Sequence, residues 1–283
     1  MVAMSVPEAL IPTGDTSQPQ QEFTVGAARS FATGRTIFAL MLREMSTSYG
    51  RSPGGYIWAI LEPLGSIILL ALAFSLVARH PPIGTNFILF YATGFLPFAL
   101  FQGVSNSISR CIAYSRALLS YPAVTWMDAL LARFILNTLT ALMVSYLILT
   151  GILVLFDTGA VIDIGPILLA LVMVILLALG IGSMNCVLGG LFPTWPLIWS
   201  IATRPLFLAS GVIILYDGLP GWVRDILWYN PLIHITGEIR RGFYPMYYAD
   251  YSSPSYVLMV SLILIVLGFV LLGRYHREIL NDD

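Results

Sequence analysis

Lysine is absent from the chain, and all 14 basic residues are arginine. A P-loop sets a lysine ammonium on the β- and γ-phosphates of a nucleotide, and Schiff-base catalysis needs a lysine amine, so neither chemistry resides in this polypeptide. If ATP drives its work, another chain binds the nucleotide. Charge of either sign is scarce, at 10% of residues, where soluble domains carry about a quarter. The formal net charge of -1 points neither to nucleic acid nor to an acidic ligand, so any useful charge is local. The two cysteines, Cys111 and Cys186, lie far apart in sequence, the first in an expected cytoplasmic loop and the second in an expected span. That placement predicts no structural disulfide. His80, His234 and His276 fall in three different connections without metal-ligand spacing, so no metal site is expected.

What the chain has in quantity is apolar surface. Of 283 residues 58% are hydrophobic, and the mean hydropathy is +0.84. A water-soluble fold cannot hide that much, and a lipid environment leaves helices to satisfy the backbone, so an all-α integral membrane protein is expected. Residues 1–28 carry Pro7, Pro12, Pro19, Gly14 and a Ser/Thr/Gln run with no signal-peptide core, which reads as a disordered cytoplasmic tail. Within 29–50, apolar Phe31, Phe38, Met41, Leu42, Met45 and Tyr49 recur near helical spacing while Arg35, Arg43 and Glu44 fall off that stripe. The pattern predicts an amphipathic helix lying on the membrane surface.

Residues 51–283 then read as a six-span membrane domain, each span approaching the roughly 20 apolar residues that cross a bilayer core. The expected spans are Gly55 to Val77, Phe87 to Ser107 with Pro97 inside, Phe134 to Phe156, Pro166 to Leu191, Trp195 to Tyr216 and Ser255 to Gly273. The third belongs to a helical pattern starting at Val124, whose first turns hold Asp128 and Arg133 and therefore project into the cytoplasm. Gly180, Gly182, Ser183, Gly189 and Gly190 in the fourth allow close helix packing. Arginine placement orients the chain: with both termini cytoplasmic, Arg29, Arg35, Arg43, Arg51, Arg110, Arg116, Arg274 and Arg277 lie inside and Arg79, Arg224, Arg240 and Arg241 outside.

The outer loop 217–254 holds two short helical patterns, Trp222 to Tyr229 and Leu232 to Phe243, broken at Asn230 and Pro231. This predicts a re-entrant hairpin, which at membrane depth needs cover from protein or a water-filled lumen. Tyr216, Tyr229, Tyr244, Tyr247, Tyr248, Tyr251, Tyr256, Trp222 and Trp228 crowd the region, either as an interfacial belt or as a surface for sugar stacking. Inside the spans, Glu62 before Pro63 and Arg204 before Pro205 are the expensive charges; they either pair with each other or face a polar pathway. The cytoplasmic segment RCIAYSRALLSYP from Arg110 to Pro122 is basic at its start and helical in pattern, either a solvated loop or a short helix that docks in a partner's groove.

Three stretches carry a resemblance. GGYIWAILEPL from Gly54 to Leu64, SRALLSYPAV from Ser115 to Val124 and NPLIHITGEIRRGFYP from Asn230 to Pro245 occur in order on the six-span layout. Together they resemble type-2 ABC transporter permeases of the capsular polysaccharide export family, over roughly residues 30 to 280. Pro53 and the length of the tail depart from the family's pattern.

The resemblance implies a homodimer in the bacterial inner membrane with two copies of a separate ATPase subunit, which binds ATP and Mg²⁺, while this chain binds no cofactor. It also implies a lipid-linked acidic polysaccharide as cargo, with periplasmic export proteins beyond. Two copies are needed on physical grounds as well, since six helices with bulky side chains hardly enclose a polymer-wide channel. On that reading Arg43, Tyr49, Arg51 and Trp58 receive the lipid-linked end, Phe95, Phe98, Phe101, Trp195 and Trp199 stack on sugars, and Glu62 and Arg204 line the path. Arg110, Tyr114, Arg116, Leu118, Leu119, Tyr121 and Pro122 form the ATPase-coupling segment, and Trp222, Trp228, Tyr229, Pro231, Arg240 and Arg241 the outer gate. Rival readings are a permease of the same type for O-antigen, teichoic acid or a drug, and an ion-coupled secondary transporter working through Glu62 or Asp128. An intramembrane enzyme using Ser183 of GIGSMN is a further rival, opposed by the lack of an in-span histidine or lysine base.

Overall fold

A computed structural model describes residues 32–48, 55–119 and 124–281. The expected tail lies outside these residues. Among the described residues the fold is entirely helical. Five stretches are long and apolar enough to cross a membrane: Ile57–Ser75, Phe87–Leu119, Trp126–Leu155, Ile164–Leu191 and Pro254–Leu280.

Helix α1 (Ala32–Ser48) is built inside out. Its apolar Phe38, Leu42 and Met45 are exposed while Glu44, on the opposite side, is buried. Helix α2 (Gly55–Ser75) carries Pro63 inside it. Helix α3 (Phe87–Ser109) starts where the Asn86 side chain accepts from the Ile88 and Leu89 N–H groups, and most of its residues are buried. After a turn at Arg110 the chain continues as α4 (Cys111–Leu119), which gives the expected cytoplasmic segment a helical form.

Helix α5 (Trp126–Leu155) opens on a capping box in which Thr125 and Asp128 satisfy each other's backbone N–H. Asp128 is thereby committed to the helix end. Helix α6 (Ile164–Leu191) packs along α10 (Pro254–Asn281) on one side and α3 on another, and α3 in turn packs against α5. Two glycines set these distances. A Cβ on Gly180 would sit 2.9 Å from Leu264 Cβ, and one on Gly182 would sit 2.8 Å from Ile108 Cβ and 3.1 Å from the Ser105 backbone. Ser183 is fully buried and donates to the Gly180 carbonyl at 2.9 Å. Its hydroxyl is occupied by the helix, away from any base.

The expected fifth span differs. Only Trp195–Ala209 is helical, as α7 of 15 residues, and at about 1.5 Å per residue it reaches roughly 22 Å of a roughly 30 Å core. Gly211, at φ 75°, turns the chain there. A short turn at Tyr216–Gly218 leads into α8 (Gly221–Leu227) and α9 (Pro231–Phe243). The break falls at the expected Asn230–Pro231, where Asn230 caps α9 by accepting from the Leu232 N–H. Helix α9 is not a loop decoration: nearly all of it is buried, against α6, α3 and α10.

Candidate functional site

Two cavities flank α3. The larger, about 880 Å³, lies between α3, α6 and α7 with contributions from α4 and α10. Phe95, Phe98, Trp195, Trp199 and Phe207 supply aromatic wall, Gln102, Asn106 and Asn185 supply amides, and Arg110 and Arg204 are its charged members. Among the described residues no aspartate or glutamate lines it. The smaller, about 720 Å³, lies between α2, α3 and α5 and contains Trp58, Glu62, Asn137 and Ser145. Phe95, Phe98, Gln102 and Asn106 belong to both, so α3 is their common wall.

Glu62 and Arg204 therefore face different spaces, and no ion pair joins them. Phe101, expected on the pathway, is fully buried and lines neither cavity; it packs beside Phe98 at 6.3 Å between ring centroids. Tyr49, Arg51, Tyr121 and Pro122 lie outside the described residues.

In the larger cavity the Trp195 indole N–H donates to Asn185 Oδ1 at 2.9 Å. That contact fixes the amide orientation and leaves Asn185 Nδ2 as a donor. Asn185 Nδ2 and Trp199 Nε1 are both buried without a partner, a desolvation penalty of about 1–3 kcal/mol each. Asn185 was missed by sequence reasoning, although an isolated amide inside an apolar run was the available signal.

The end of the bundle where α1, α4 and the start of α5 meet is organised around another unexpected residue. Arg133 Nε donates to Glu44 Oε1 at 2.8 Å, with side-chain exposures of 10% and 9%. Its Nη1 donates to the Arg110 carbonyl at 3.1 Å, and its guanidinium lies 4.2 Å from the Tyr114 ring centroid. One side chain of α5 thus holds α1, the α3–α4 turn and α4 together. Arg43 and Leu118 line a narrow cleft beside this group, and Leu119 packs on the core. Arg116 Nη2 donates to the Leu280 carbonyl at 2.7 Å, tying α4 to the end of α10. Cys111 and Cys186, distant in sequence, meet with their sulfurs 3.6 Å apart, both as buried free thiols.

At the other end, Arg240 is not displayed as an outer charge. It is 2% exposed, lies over the Phe90 ring at 4.2 Å and donates to the Val212 carbonyl at 3.1 Å. Arg241 stays exposed and reaches Glu238 Oε2 at 3.5 Å, an ion pair without a hydrogen bond. Trp228 stacks on Tyr256 with centroids 5.1 Å apart and donates to the Tyr251 carbonyl, while Pro231 is half-buried and Trp222 and Tyr229 are exposed. Many of the crowded aromatics are therefore used on one another. Burial pushes the Tyr247 hydroxyl up to about 12, beside Tyr251 at 3.2 Å.

The sequence pattern that defines the family described as "ABC-2 type transporter" matches residues 35–244. Among curated proteins, the polysialic acid transport protein KpsM of Escherichia coli is 28% identical over 247 residues, covering 87% of this chain and 96% of the relative. The capsule polysaccharide export inner-membrane protein CtrC of Neisseria meningitidis is 26% identical over 245 residues, covering 87% and 92%. The capsule polysaccharide export inner-membrane protein BexB of Haemophilus influenzae is 26% identical over 247 residues, covering 87% and 93%.

Proposed function

The chain belongs to the ABC-2 type transporter family, and from that premise we propose that it is the membrane subunit of an exporter carrying lipid-linked capsular polysaccharide out of the cytoplasm across the inner membrane. ATP hydrolysis on a separate subunit drives it, since no lysine is present to build a P-loop. The observation that carries the cargo reading is the larger cavity: aromatic faces, amides and two arginines, with no acidic side chain on its wall among the described residues. Flat rings give a sugar chain weak repeated contacts, and the arginines suit acidic groups along it. Relatives named for transport of polysialic acid and export of capsule polysaccharide support the same reading.

In this reading α1 lies in the inner interface with Phe38, Leu42 and Met45 toward lipid, and both termini are cytoplasmic. Helix α7 completes a sixth crossing jointly with the α8–α9 hairpin, whose buried α9 is the covered re-entrant arm. A second copy supplies the facing half of the channel. Two ATPase subunits, with ATP and Mg²⁺, press on α4 and on the end of α10 bound to it through Arg116. Ion coupling through Asp128 is disfavoured because that carboxylate accepts from Thr125 in the cap of α5. The test is co-expression with candidate ATPase subunits and identification of the glycolipid in the purified complex. A complex that forms but holds no glycan would move the cargo to another class, and transport with no ATPase subunit would end the reading.

A further inference from the structure

We propose that Asn185 and Trp199 form a subsite in the larger cavity that recognises the carboxylate of an acidic sugar residue and separates acidic from neutral glycans. The proposal rests on the reading of that cavity as the glycan's route. Asn185 is 5% exposed, and because its Oδ1 is fixed by the bond from Trp195, its Nδ2 is identified as the amide's unused donor. The Trp199 indole can only donate. Neither nitrogen has a partner, although native proteins pair roughly nine in ten buried polar groups. Two such exceptions on the wall of one cavity, from neighbouring helices α6 and α7, are explained by a ligand that brings acceptors.

The charge around them narrows that ligand. Arg110 and Arg204 line the same cavity and, among the described residues, no carboxylate does, so a neutral hydroxyl, which needs an acceptor for its own proton, is matched less well than an oxyanion. A carboxylate offers acceptor oxygens alone. Its hydrogen bonds with the amide and the indole are charge-assisted, which roughly doubles the strength of neutral ones.

The complex with its ATPase subunits, in lipid nanodiscs, is titrated with an oligoglucuronate and with a neutral glucan oligosaccharide of equal length at fixed ionic strength. The wild type is expected to bind the acidic chain about tenfold more tightly. Asn185→Asp keeps the oxygen that serves Trp195 and exchanges Nδ2 for an anionic oxygen, so it should abolish that preference. Trp199→Phe keeps a ring and removes the N–H, so it should cut acidic binding about fivefold more than it cuts neutral binding. If both variants retain the wild-type preference, the subsite is refuted while the glycan route stands. If the wild type binds neither oligosaccharide, the route itself fails and the subsite with it.

Discussion

Glu44 of α1 and Arg133 of α5 form an ion pair of 2.8 Å, almost wholly removed from solvent. The pair lies where α1, the α3–α4 turn and α4 converge. Neutralising one partner strands the other charge in a buried site, which costs about 3–5 kcal/mol. Arg133→Ala is therefore expected to lower the thermal midpoint of the purified permease and to abolish export. Glu44→Gln should do so less severely, because an amide oxygen still accepts from Nε. Thermal melts and a surface-polysaccharide assay check both.

Arg116 offers a cleaner separation of folding from coupling. It is partly exposed, and one of its contacts is with the Leu280 backbone carbonyl at 2.7 Å. Arg116→Glu replaces attraction to that carbonyl by repulsion, so the subunit should insert and assemble normally while export is lost. Membrane yield, ATPase activity of the complex and export are the readouts. Cargo-stimulated ATPase activity and export at wild-type levels would remove α4 from the transmission path.

The sulfurs of Cys111 and Cys186 are close enough to join with little movement. Copper-phenanthroline oxidation takes two electrons and two protons from the pair and ties α4 to α6. The treated exporter should stop turning over and recover with dithiothreitol, whereas Cys111→Ser should be insensitive. Transport and free-thiol counts before and after treatment decide the matter.

His234 ties α9 to the loop that follows it through a hydrogen bond that acid removes. The Ser253 N–H donates to Nδ1, so the ring proton sits on Nε2 and serves the Trp228 carbonyl. A second proton breaks the first of these bonds. Its loss frees the Ser253 N–H and loosens the loop that follows α9. Hydrogen exchange in 221–253 should rise in mild acid, and His234→Phe should flatten the profile. An unchanged profile would place the acid sensitivity elsewhere.

Gly182 tests the packing that fixes the cavities. With backbone of α3 only 3.1 Å from its missing Cβ, Gly182→Ala forces α3 and α6 apart at about 1–3 kcal/mol. A lower thermal midpoint and impaired export are expected together, while the same change at exposed Gly103, with open space around it, should be nearly silent.

Long apolar runs made α2, α3, α5, α6 and α10 readable, because lipid demands unbroken helices of that length. Asn230–Pro231 was readable for a local reason, a cap residue before a proline that starts a helix. The end of α7 was not, since hydropathy runs on through Ser210 and Gly211 and only the left-handed φ of Gly211 shows the turn. Arg240 and Arg241 look equivalent in sequence, yet one is buried over Phe90 and the other exposed. The partner of Arg133, Glu44, is 89 residues away, so no local pattern announces the pair. Contacts between distant segments leave no local trace.

Because Phe95, Phe98, Gln102 and Asn106 present themselves to both cavities, α3 works as a septum. Any roll of that helix enlarges one chamber by shrinking its neighbour, so the two exchange volume instead of opening independently. A small molecule wedged into either chamber would jam the septum for both, and this makes the α3 faces the natural target for an inhibitor of the exporter.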